Sequence, residues 1–339
     1  MDKETICKHR NKKIMVDLSV NYLGLKLKNP LIVSSSGLTN SVAKIMRLQE
    51  KGAGAVVLKS LFEEQISYEA GSLIQHGSYP EAEDYIMNYT KSNSVDTYLN
   101  LIEEAKKEAE IPVIASINCI SAKEWVSFAK SIEEAGADAL ELNVYYMPNI
   151  LTRSAEKYEN LYYDLVTKIS EKVTIPVAVK LGQNFTSLPA FVNNLSGRGA
   201  NGVVLFNRFY APDIDLKTQS IVAARVFSTK DDIRHPLRWI GILSALLDKI
   251  DLCASSGIHD SEGLIKMLLA GATAVQMCSV IYKEGADIIE KVLKELEHWM
   301  KENEYDNIKD FRGKLNYSHV KDSRMFERSQ FMKYFSDMQ

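Results

Sequence analysis

Runs of apolar residues recur along the whole chain and begin in one of two ways. In the first type the run follows a Gly-Ala pair, and such a glycine suits the left-handed end of a helix directly before a strand. In the second type the run usually opens with proline. The first type comprises residues 52–56, 136–140, 199–203 and 271–275, and the second comprises residues 29–33, 111–114, 175–179 and 250–254. The two types alternate, so the pattern predicts eight strands.

The runs are apolar throughout and do not alternate with polar residues, which is typical of parallel strands that are buried on both faces. The connections carry apolar residues at helical spacing, and no strand is followed by a GxGxxG nucleotide-binding motif. Two of the predicted helices have apolar faces formed by Trp125, Phe128, Ala129 and Ile132 after a capping box at 121–124, and by Val95, Tyr98, Leu99 and Ile102 after a Ser94 cap. Eight β-then-α units without a linker predict the α/β class, as a single (β/α)8 TIM barrel.

The segments on both sides of the predicted barrel differ from it in composition. Residues 1–14 form a polar N-terminal extension, residues 15–302 the barrel, and residues 303–339 a polar and aromatic C-terminal extension that we expect to pack on the barrel. Short apolar segments at 16–20 and 23–27 predict a β-hairpin that closes the bottom of the barrel.

Two connections are longer than barrel loops usually are. They are residues 61–93, after the second strand, and residues 208–238, after the sixth strand. Because the loops that follow barrel strands lie on the catalytic face, both connections are candidate lids.

The composition of the chain indicates which classes of binding partner to expect. The chain has 339 residues, of which 46% are hydrophobic and 25% are charged, and its formal net charge is -3. The lack of a broad basic field argues against nucleic acid as a partner, and no apolar stretch approaches the roughly 20 residues that a membrane helix needs. The four cysteines show no CxxC pair and no ligand spacing with histidine. We therefore expect no metal site, reduced thiols and a cytoplasmic protein that binds a small molecule.

Polar residues stand at the last positions of the predicted strands, where packing alone does not require them. In a barrel these positions converge on one mouth, so the pattern predicts a ligand site there. The set comprises Ser35, Ser36, Gly37, Lys59, Ser60, Ser116, Asn118, Asn143, Lys180, Asn207, Ser256, Gly257, Cys278 and Ser279.

Two lysines of this set, Lys59 and Lys180, each end an apolar strand. A buried ammonium is costly without a partner, so each lysine is expected to face an anion or an electron-rich acceptor of the ligand. Alternatively, each lysine reaches solvent or pairs with a local carboxylate such as Glu63 or Glu141.

The last two strand ends suit a phosphate group. Ser256-Gly257 and Cys278-Ser279 can each offer backbone N–H groups at the start of a short helix. The alternative for Ser256 is a plain helix N-cap.

Taken together, these residues resemble the dihydroorotate dehydrogenase family over residues 15–285. The resemblance is carried by Asn29-Pro30, Ser35-Ser36-Gly37, Lys59-Ser60, Glu141-Leu142-Asn143, Pro148-Asn149, Val179-Lys180-Leu181, Asn207, Gly257-Ile258, Asp260, Gly271-Ala272 and Val275-Gln276. It implies FMN as the cofactor. It also implies an oxidoreductase that converts dihydroorotate to orotate in pyrimidine biosynthesis, by hydride transfer from a substrate carbon to flavin N5.

The resemblance further implies roles for individual residues. Lys180 is expected at the N1 side of the flavin, and Lys59 near its reacting edge with a catalytic role. Asn143, Asn149 and Asn207 are expected to face the substrate. The other residues expected to bind FMN are Ser35, Ser36, Gly37, Ser60, Asn118, Asn143, Ser256, Gly257, Cys278 and Ser279.

Three segments depart from the pattern of the family. Residues 144–147, Val-Tyr-Tyr-Met, stand where the family has a cysteine or serine base, residues 85–94 lack its substrate-holding stretch, and residues 228–239 replace a glycine-rich segment. Tyr146 is therefore the candidate catalytic base, and the alternative is that it lines the ligand pocket. Arg234 or Arg238 is the candidate ligand of a substrate carboxylate, and the latter is preferred. The alternative is that both arginines make surface ion pairs.

Two other functions are compatible with the same residues. One is a flavin-binding member of the family with a different substrate, or with an electron-transfer or sensing role. The other is a flavin-free, phosphate-binding barrel lyase. A homodimer and a separate electron-transfer partner are further expectations.

Overall fold

The eight apolar runs form the strands of a closed parallel barrel. The computed structural model describes residues 16–62, 80–118, 122–208 and 211–327. The strands in chain order are β1 (Val20–Tyr22), β2 (Leu25–Leu27), β3 (Leu31–Val33), β4 (Ala55–Val57), β5 (Leu61–Phe62), β6 (Val113–Asn118), β7 (Ala139–Asn143), β8 (Val177–Leu181), β9 (Gly202–Leu205), β10 (Pro212–Asp215), β11 (Ser220–Ala223), β12 (Asp251–Ser255) and β13 (Ala274–Met277). The barrel strands pair in the order β4, β3, β13, β12, β9, β8, β7 and β6, and a further pairing of β4 with β6 closes the ring. The predicted (β/α)8 barrel is confirmed.

Helices cover the outside of the barrel between its strands. They are α1 (Val42–Glu50), α2 (Pro80–Glu108), α3 (Ala122–Glu134), α4 (Ala155–Ser170), α5 (Leu188–Ser196), α6 (Arg234–Leu246), α7 (Ser261–Ala270), α8 (Ser279–Glu284), α9 (Asp287–Glu302) and α10 (Arg324–Glu327). Within the described part of the chain, no helix is both long and apolar enough to cross a membrane.

The sequence predicted an apolar face and an N-terminal cap for two of these helices. The face of α3 is buried as expected at Trp125, Phe128, Ala129 and Ile132. In α2 the predicted cap was wrong, because the helix begins at Pro80 and passes through Ser94. Apolar spacing marks the face of a helix and leaves its first residue undetermined. Ser121, the other predicted cap, lies outside the described residues.

The Gly-Ala pairs join helix to strand in the predicted way. Gly271 follows α7 with φ at 113°, in the left-handed region, and its N–H donates to the Leu268 carbonyl at 2.9 Å. Gly52, Gly136 and Gly199 have φ values of 100°, 94° and 103°. A residue with a Cβ is disfavoured at these φ values. Glycine at these positions therefore allows the chain to leave each helix and enter a buried strand without a longer loop.

A short hairpin lies at the bottom of the barrel. β1 and β2 are antiparallel, with Val20 opposite Leu27. The Leu23 N–H donates to Asp251 Oδ2 at 2.7 Å, at the first residue of β12, which confirms the predicted position. The predicted strand bounds were shifted, because Leu23 and Gly24 form the turn with φ at 56° and 76°.

The connection after β9 contains a second hairpin, formed by β10 and β11. Ile214 lies opposite Ile221, and their exposed fractions are 64% and 79%. The connection ends earlier than predicted, because a capping box at Thr229 starts a 3-10 turn that leads into α6. Arg234 and Arg238 therefore lie in a helix. Of the other predicted lid, residues 63–79 lie outside the described residues.

The chain after α9 packs against α6 and α7. The N–H groups of Gly313 and Leu315 donate to the carbonyls of Leu268 and Leu269, both at 2.9 Å, and Phe311 is fully buried. Both carbonyls belong to the last turn of α7, so this segment caps the C-terminal end of that helix.

Candidate active site

The carboxyl ends of the barrel strands surround one cavity of about 640 Å³. The cavity brings together the polar residues that stand at the strand ends in the sequence, and it adds apolar walls from Phe62, Phe227, Ile258 and Tyr282. The predicted site residues that line it are Ser35, Ser36, Gly37, Lys59, Ser60, Asn118, Asn143, Lys180, Asn207, Ser256, Gly257, Cys278 and Ser279. A volume of this size lies within the ordinary range of ligand sites, roughly 300–1,000 Å³.

A hydrogen-bonded row of hydroxyl and amide groups forms one wall of the cavity. Ser60 Oγ lies 3.0 Å from Ser35 Oγ and 2.7 Å from Ser116 Oγ. Asn143 Nδ2 donates to Ser60 Oγ at 3.3 Å, and Asn207 Nδ2 donates to Asn143 Oδ1 at 2.5 Å. Five strand ends are linked through these bonds, so the amides of both asparagines are held in one orientation.

Lys180 lies at the floor of the cavity among polar partners. Its Nζ donates to Ser34 Oγ at 2.9 Å and to Gln276 Oε1 at 2.8 Å. Glu141 Oε1 lies 3.6 Å from the same Nζ, and the two side chains are 6% and 1% exposed. The sequence analysis offered two interpretations of this lysine, a position facing the ligand site and a pair with a local carboxylate. The structure combines them, because Lys180 lines the cavity and also pairs with Glu141.

Lys59 is the other strand-end lysine, and its position differs. It lines the cavity, but its side chain is exposed to solvent. Glu63, its proposed alternative partner, lies outside the described residues. Of the two strand-end lysines, one is therefore buried at the floor of the cavity and the other is exposed to solvent.

The backbone at Ser256 and Gly257 is unusual, because both residues have positive φ values, 77° and 80°. A Cβ added at Gly257 would lie 2.1 Å from Ile233 N, so only glycine fits against the turn at 230–233. Ser256 Oγ donates to the Phe206 carbonyl at 3.0 Å. The alternative that Ser256 caps a helix is wrong, since Asp260 is the N-cap of α7.

Ser228 lines the cavity beside this backbone and was missed as a site residue in the sequence analysis; it is hydrogen-bonded to His259, which does not line the cavity. The Ser228 N–H donates to Ser279 Oγ at 3.0 Å, and Ser228 Oγ lies 2.8 Å from His259 Nε2. Burial, together with Lys283, lowers the pKa of His259. The sequence did contain a signal for Ser228, because residues 228–239 depart from the family pattern. That departure indicates that the segment is particular to this chain, but it does not indicate that the segment reaches the cavity.

Arg208 is a second residue that the sequence analysis missed. It lines the cavity, and its guanidinium donates to the carbonyls of Arg225 at 3.0 Å and Phe227 at 3.4 Å. It also pairs with Asp232 at 3.2 Å. These bonds tie the returning arm of the β10–β11 hairpin to the rim of the cavity.

The thiol of Cys278 lies within the cavity wall. Burial raises the pKa of this thiol, and a hydrogen bond with Ser36 opposes that effect. A thiol with a raised pKa is a poor nucleophile at neutral pH.

Four residues predicted for the ligand site are not among the described residues that line the cavity. Ser116 is fully buried and hydrogen-bonded to Ser60, and the other three are Tyr146, Asn149 and Arg238. Tyr146 lines a separate pocket of about 150 Å³, where its ring packs edge-on against Tyr162 with centroids 5.2 Å apart. Asn149 is exposed on the loop after β7, and Arg238 is exposed on α6. Tyr146, Asn149 and Arg238 lie outside the cavity lining because the direction of the chain after a strand depends on packing, which strand periodicity does not determine.

Comparison with known proteins agrees with this architecture. The family model for dihydroorotate dehydrogenase matches residues 17–300. A relative from Thermoplasma acidophilum, named dihydroorotate dehydrogenase B (NAD(+)), catalytic subunit, is 26% identical over 88% of this chain and 99% of its own length. Relatives of the same name from Thermoplasma volcanium and Methanosarcina mazei are 28% and 29% identical, over 88% and 86% of this chain and 98% and 92% of their own lengths.

The family match spans the barrel and every strand end that contributes to the cavity. The reaction of this family uses a flavin that takes electrons from the substrate. The chain therefore belongs to the dihydroorotate dehydrogenase family and is a flavin-dependent oxidoreductase of that type, acting on a CH–CH bond.

Proposed function

We propose that this chain binds FMN in the cavity and uses it to oxidise a CH–CH bond of a small anionic substrate. The first candidate is dihydroorotate, which would be converted to orotate in pyrimidine biosynthesis. The single observation that carries the proposal is the convergence of strand-end serines, asparagines and lysines on one cavity of about 640 Å³.

The chemistry of the lining suits FMN. An isoalloxazine ring needs apolar walls, which Phe227, Ile258 and Tyr282 can supply, and amide or hydroxyl partners along its edge, which Asn143 and Ser60 can supply. A phosphate needs backbone N–H groups and a close approach of the main chain, and the left-handed backbone at residues 256–257 offers both. When bound, the flavin accepts a hydride at N5 from a substrate carbon.

The protein supplies charge and orientation to the proposed flavin. We assign Lys180 to the N1 side, because a buried cation there favours the negative charge of the reduced ring. Ser256-Gly257 and Cys278-Ser279 are assigned to the phosphate. Asn118, Ser35, Ser36 and Gly37 complete the predicted cofactor contacts from the other strand ends.

The proposed substrate contacts rest on Asn143 and Asn207, whose amides are held by their mutual hydrogen bond. Lys59 is the proposed catalytic residue, because its exposed ammonium at the mouth can attract an anionic substrate or exchange a proton with it. The geometry gives no support for substrate contacts of Asn149 and Arg238, or for Tyr146 as the base.

Four further features belong to the proposal. Residues 1–14 and 303–339 are extensions of an FMN-binding barrel at 15–302, the location is cytoplasmic, and a homodimer is an expected state. A separate electron-transfer partner is supported by the relatives, which are named as catalytic subunits with NAD(+).

An anaerobic reduction assay tests the proposed function. Dihydroorotate added to the FMN-loaded protein should bleach the flavin absorbance, and a dye acceptor should then support turnover. A Lys59→Ala variant should retain the flavin and be reduced more slowly. A flavin that is stable to dihydroorotate and to related cyclic carboxylates would contradict the proposed reaction. A protein that binds phosphate but no flavin would favour the lyase alternative.

A further inference from the structure

We infer that Glu141 is a positioning residue that holds Lys180 from below and sets how much positive charge this lysine presents to the reduced flavin. The inference rests on the proposed function, because it takes Lys180 to lie beside the flavin. It adds a role for a carboxylate that does not itself line the cavity.

Four buried side chains form the arrangement at the cavity floor, where Ser34, Lys180 and Gln276 line the cavity and Glu141 does not. Gln276 Nε2 donates to Glu141 Oε2 at 2.5 Å, while Gln276 Oε1 accepts from Lys180 Nζ at 2.8 Å. Ser34 Oγ donates to the same Gln276 oxygen at 2.9 Å and accepts from Lys180 at 2.9 Å. Gln276 thus bridges the carboxylate and the ammonium, and its amide can adopt only one orientation between them.

The direct approach of the two charges is also unusual. Glu141 Oε1 lies 3.6 Å from Lys180 Nζ, it is buried, and it has no hydrogen-bond partner among the described residues. The exposed fraction of Gln276 is 2% and that of Ser34 is 5%, so solvent does not screen the pair. A buried carboxylate without a full set of hydrogen bonds is stable mainly through its neighbouring cation.

This geometry limits what Lys180 can offer to a ligand. An ammonium has three N–H donors, and two of them are used by Ser34 and Gln276. The negative charge of Glu141 partly offsets the positive charge of Lys180. A flavin bound beside the lysine is therefore next to an ion pair, with the ammonium nearer to it than the carboxylate, and not next to an isolated cation. The carboxylate therefore moderates the preference of the site for the negatively charged reduced flavin.

The reduction potential of the bound flavin tests this role. Glu141→Gln keeps the shape and the oxygen that accepts from Gln276 but removes the charge. We expect the affinity for reduced relative to oxidised flavin to rise roughly tenfold, which corresponds to a potential about 30 mV more positive for a two-electron couple. Glu141→Asp, which keeps the charge, should lie nearer the unmodified protein. Glu262→Gln, which removes an exposed carboxylate paired with Lys266, is the matched control and should leave the potential unchanged.

A merely structural role for Glu141 would shift the potential equally in the Gln and Asp variants, or not at all. Either result, or a more negative potential in Glu141→Gln, would overturn the inference. If none of these proteins binds flavin, the proposed function fails. The dependence of Glu141 and Lys180 on each other can then still be tested without the cofactor.

Thermal unfolding of the flavin-free protein provides that second measurement. Glu141→Gln and Lys180→Met each leave one buried charge without its partner, whereas the double variant removes both charges. We expect the double variant to unfold at a higher temperature than either single variant. A double variant no more stable than the less stable single variant would show that the two groups do not depend on each other, and the inference would fail.

Discussion

Gly257→Ala should damage the proposed phosphate end of the cavity more than the fold as a whole. The residue has φ at 80°, and an added Cβ would lie 2.1 Å from Ile233 N and 2.6 Å from the carbonyl carbon of Asp232. These are backbone atoms of the turn at 230–233, so a change of side-chain rotamer cannot relieve the overlap. The turn, or residues 256–257, must move.

The magnitude follows from two contributions. A residue with a Cβ in the left-handed region costs about 1–2 kcal/mol. Overpacking of a close contact costs about 1–3 kcal/mol more. Gly24→Ala is the matched control, because Gly24 has φ at 76° and an added Cβ there would meet nothing within 4 Å. Gly24→Ala should therefore carry only the first contribution, and the difference between the variants isolates the second.

The assay compares FMN with riboflavin, which lacks the phosphate. A displacement worth about 1–3 kcal/mol corresponds to a loss of roughly tenfold to a hundredfold in affinity. In Gly257→Ala, fluorescence titration should show this loss for FMN and a much smaller loss for riboflavin. Gly24→Ala should keep the preference of the unmodified protein for FMN. An unchanged preference in Gly257→Ala would refute the assignment of the phosphate to this backbone.

The remaining predictions concern charge, the loop after β7 and acid stability. Lys180→Ala should weaken FMN binding by roughly tenfold to a hundredfold, the scale of one charge-assisted hydrogen bond, and Lys59→Ala by less; equal losses in a flavin titration would contradict the two assignments. Tyr146→Phe should leave the rate of flavin reduction by substrate unchanged, since the ring lies in the neighbouring pocket, and a large fall in stopped-flow experiments would restore this residue as the base. A hydrogen bond from Lys130 and others from the chain near Thr174 lower the pKa of Glu133 from 4.5 to about 2. Because the pKa is lowered on folding, the carboxylate stabilises the protein above its unfolded pKa, and this contribution is lost as the pH falls towards about 2. Glu133→Gln should therefore lower the unfolding temperature at pH 7 and have little effect near pH 2, and a deficit that is constant with pH would exclude the mechanism.

The strands and most of the site were predictable from the sequence because both follow from local rules. A parallel strand that is buried on both faces must be apolar throughout, so runs such as 177–181 stand out. The carboxyl ends of these strands must converge in a closed barrel. Lys180 and Asn143 could therefore be assigned to one mouth without knowledge of any contact between them.

The network at the cavity floor was not predictable in the same way. Gln276 and Glu141 lie inside strands and are separated by 135 residues, so their hydrogen bond leaves no local signal. Sequence analysis could name Glu141 as a possible partner of Lys180 but could not choose between pairing and a ligand contact. The structure shows that the lysine takes part in the pair and in the cavity wall together.

Loop residues were the main failures, and the reason is the same in each case. Tyr146 and Asn149 follow β7, and their direction depends on packing against α4, where Tyr162 receives the Tyr146 N–H at 3.3 Å. Arg208 and Ser228 reach the cavity because the connection after β9 folds back on itself. Such returns depend on long-range contacts, which residue spacing does not encode.

The flavin content of the purified protein tests the central claim most directly. Denaturation of the native protein, followed by chromatography of the released chromophore, should yield FMN in a ratio that approaches one per chain. Protein that releases no flavin, and that gains none after incubation with excess FMN and removal of the unbound cofactor, would contradict the claim that this cavity is a flavin site.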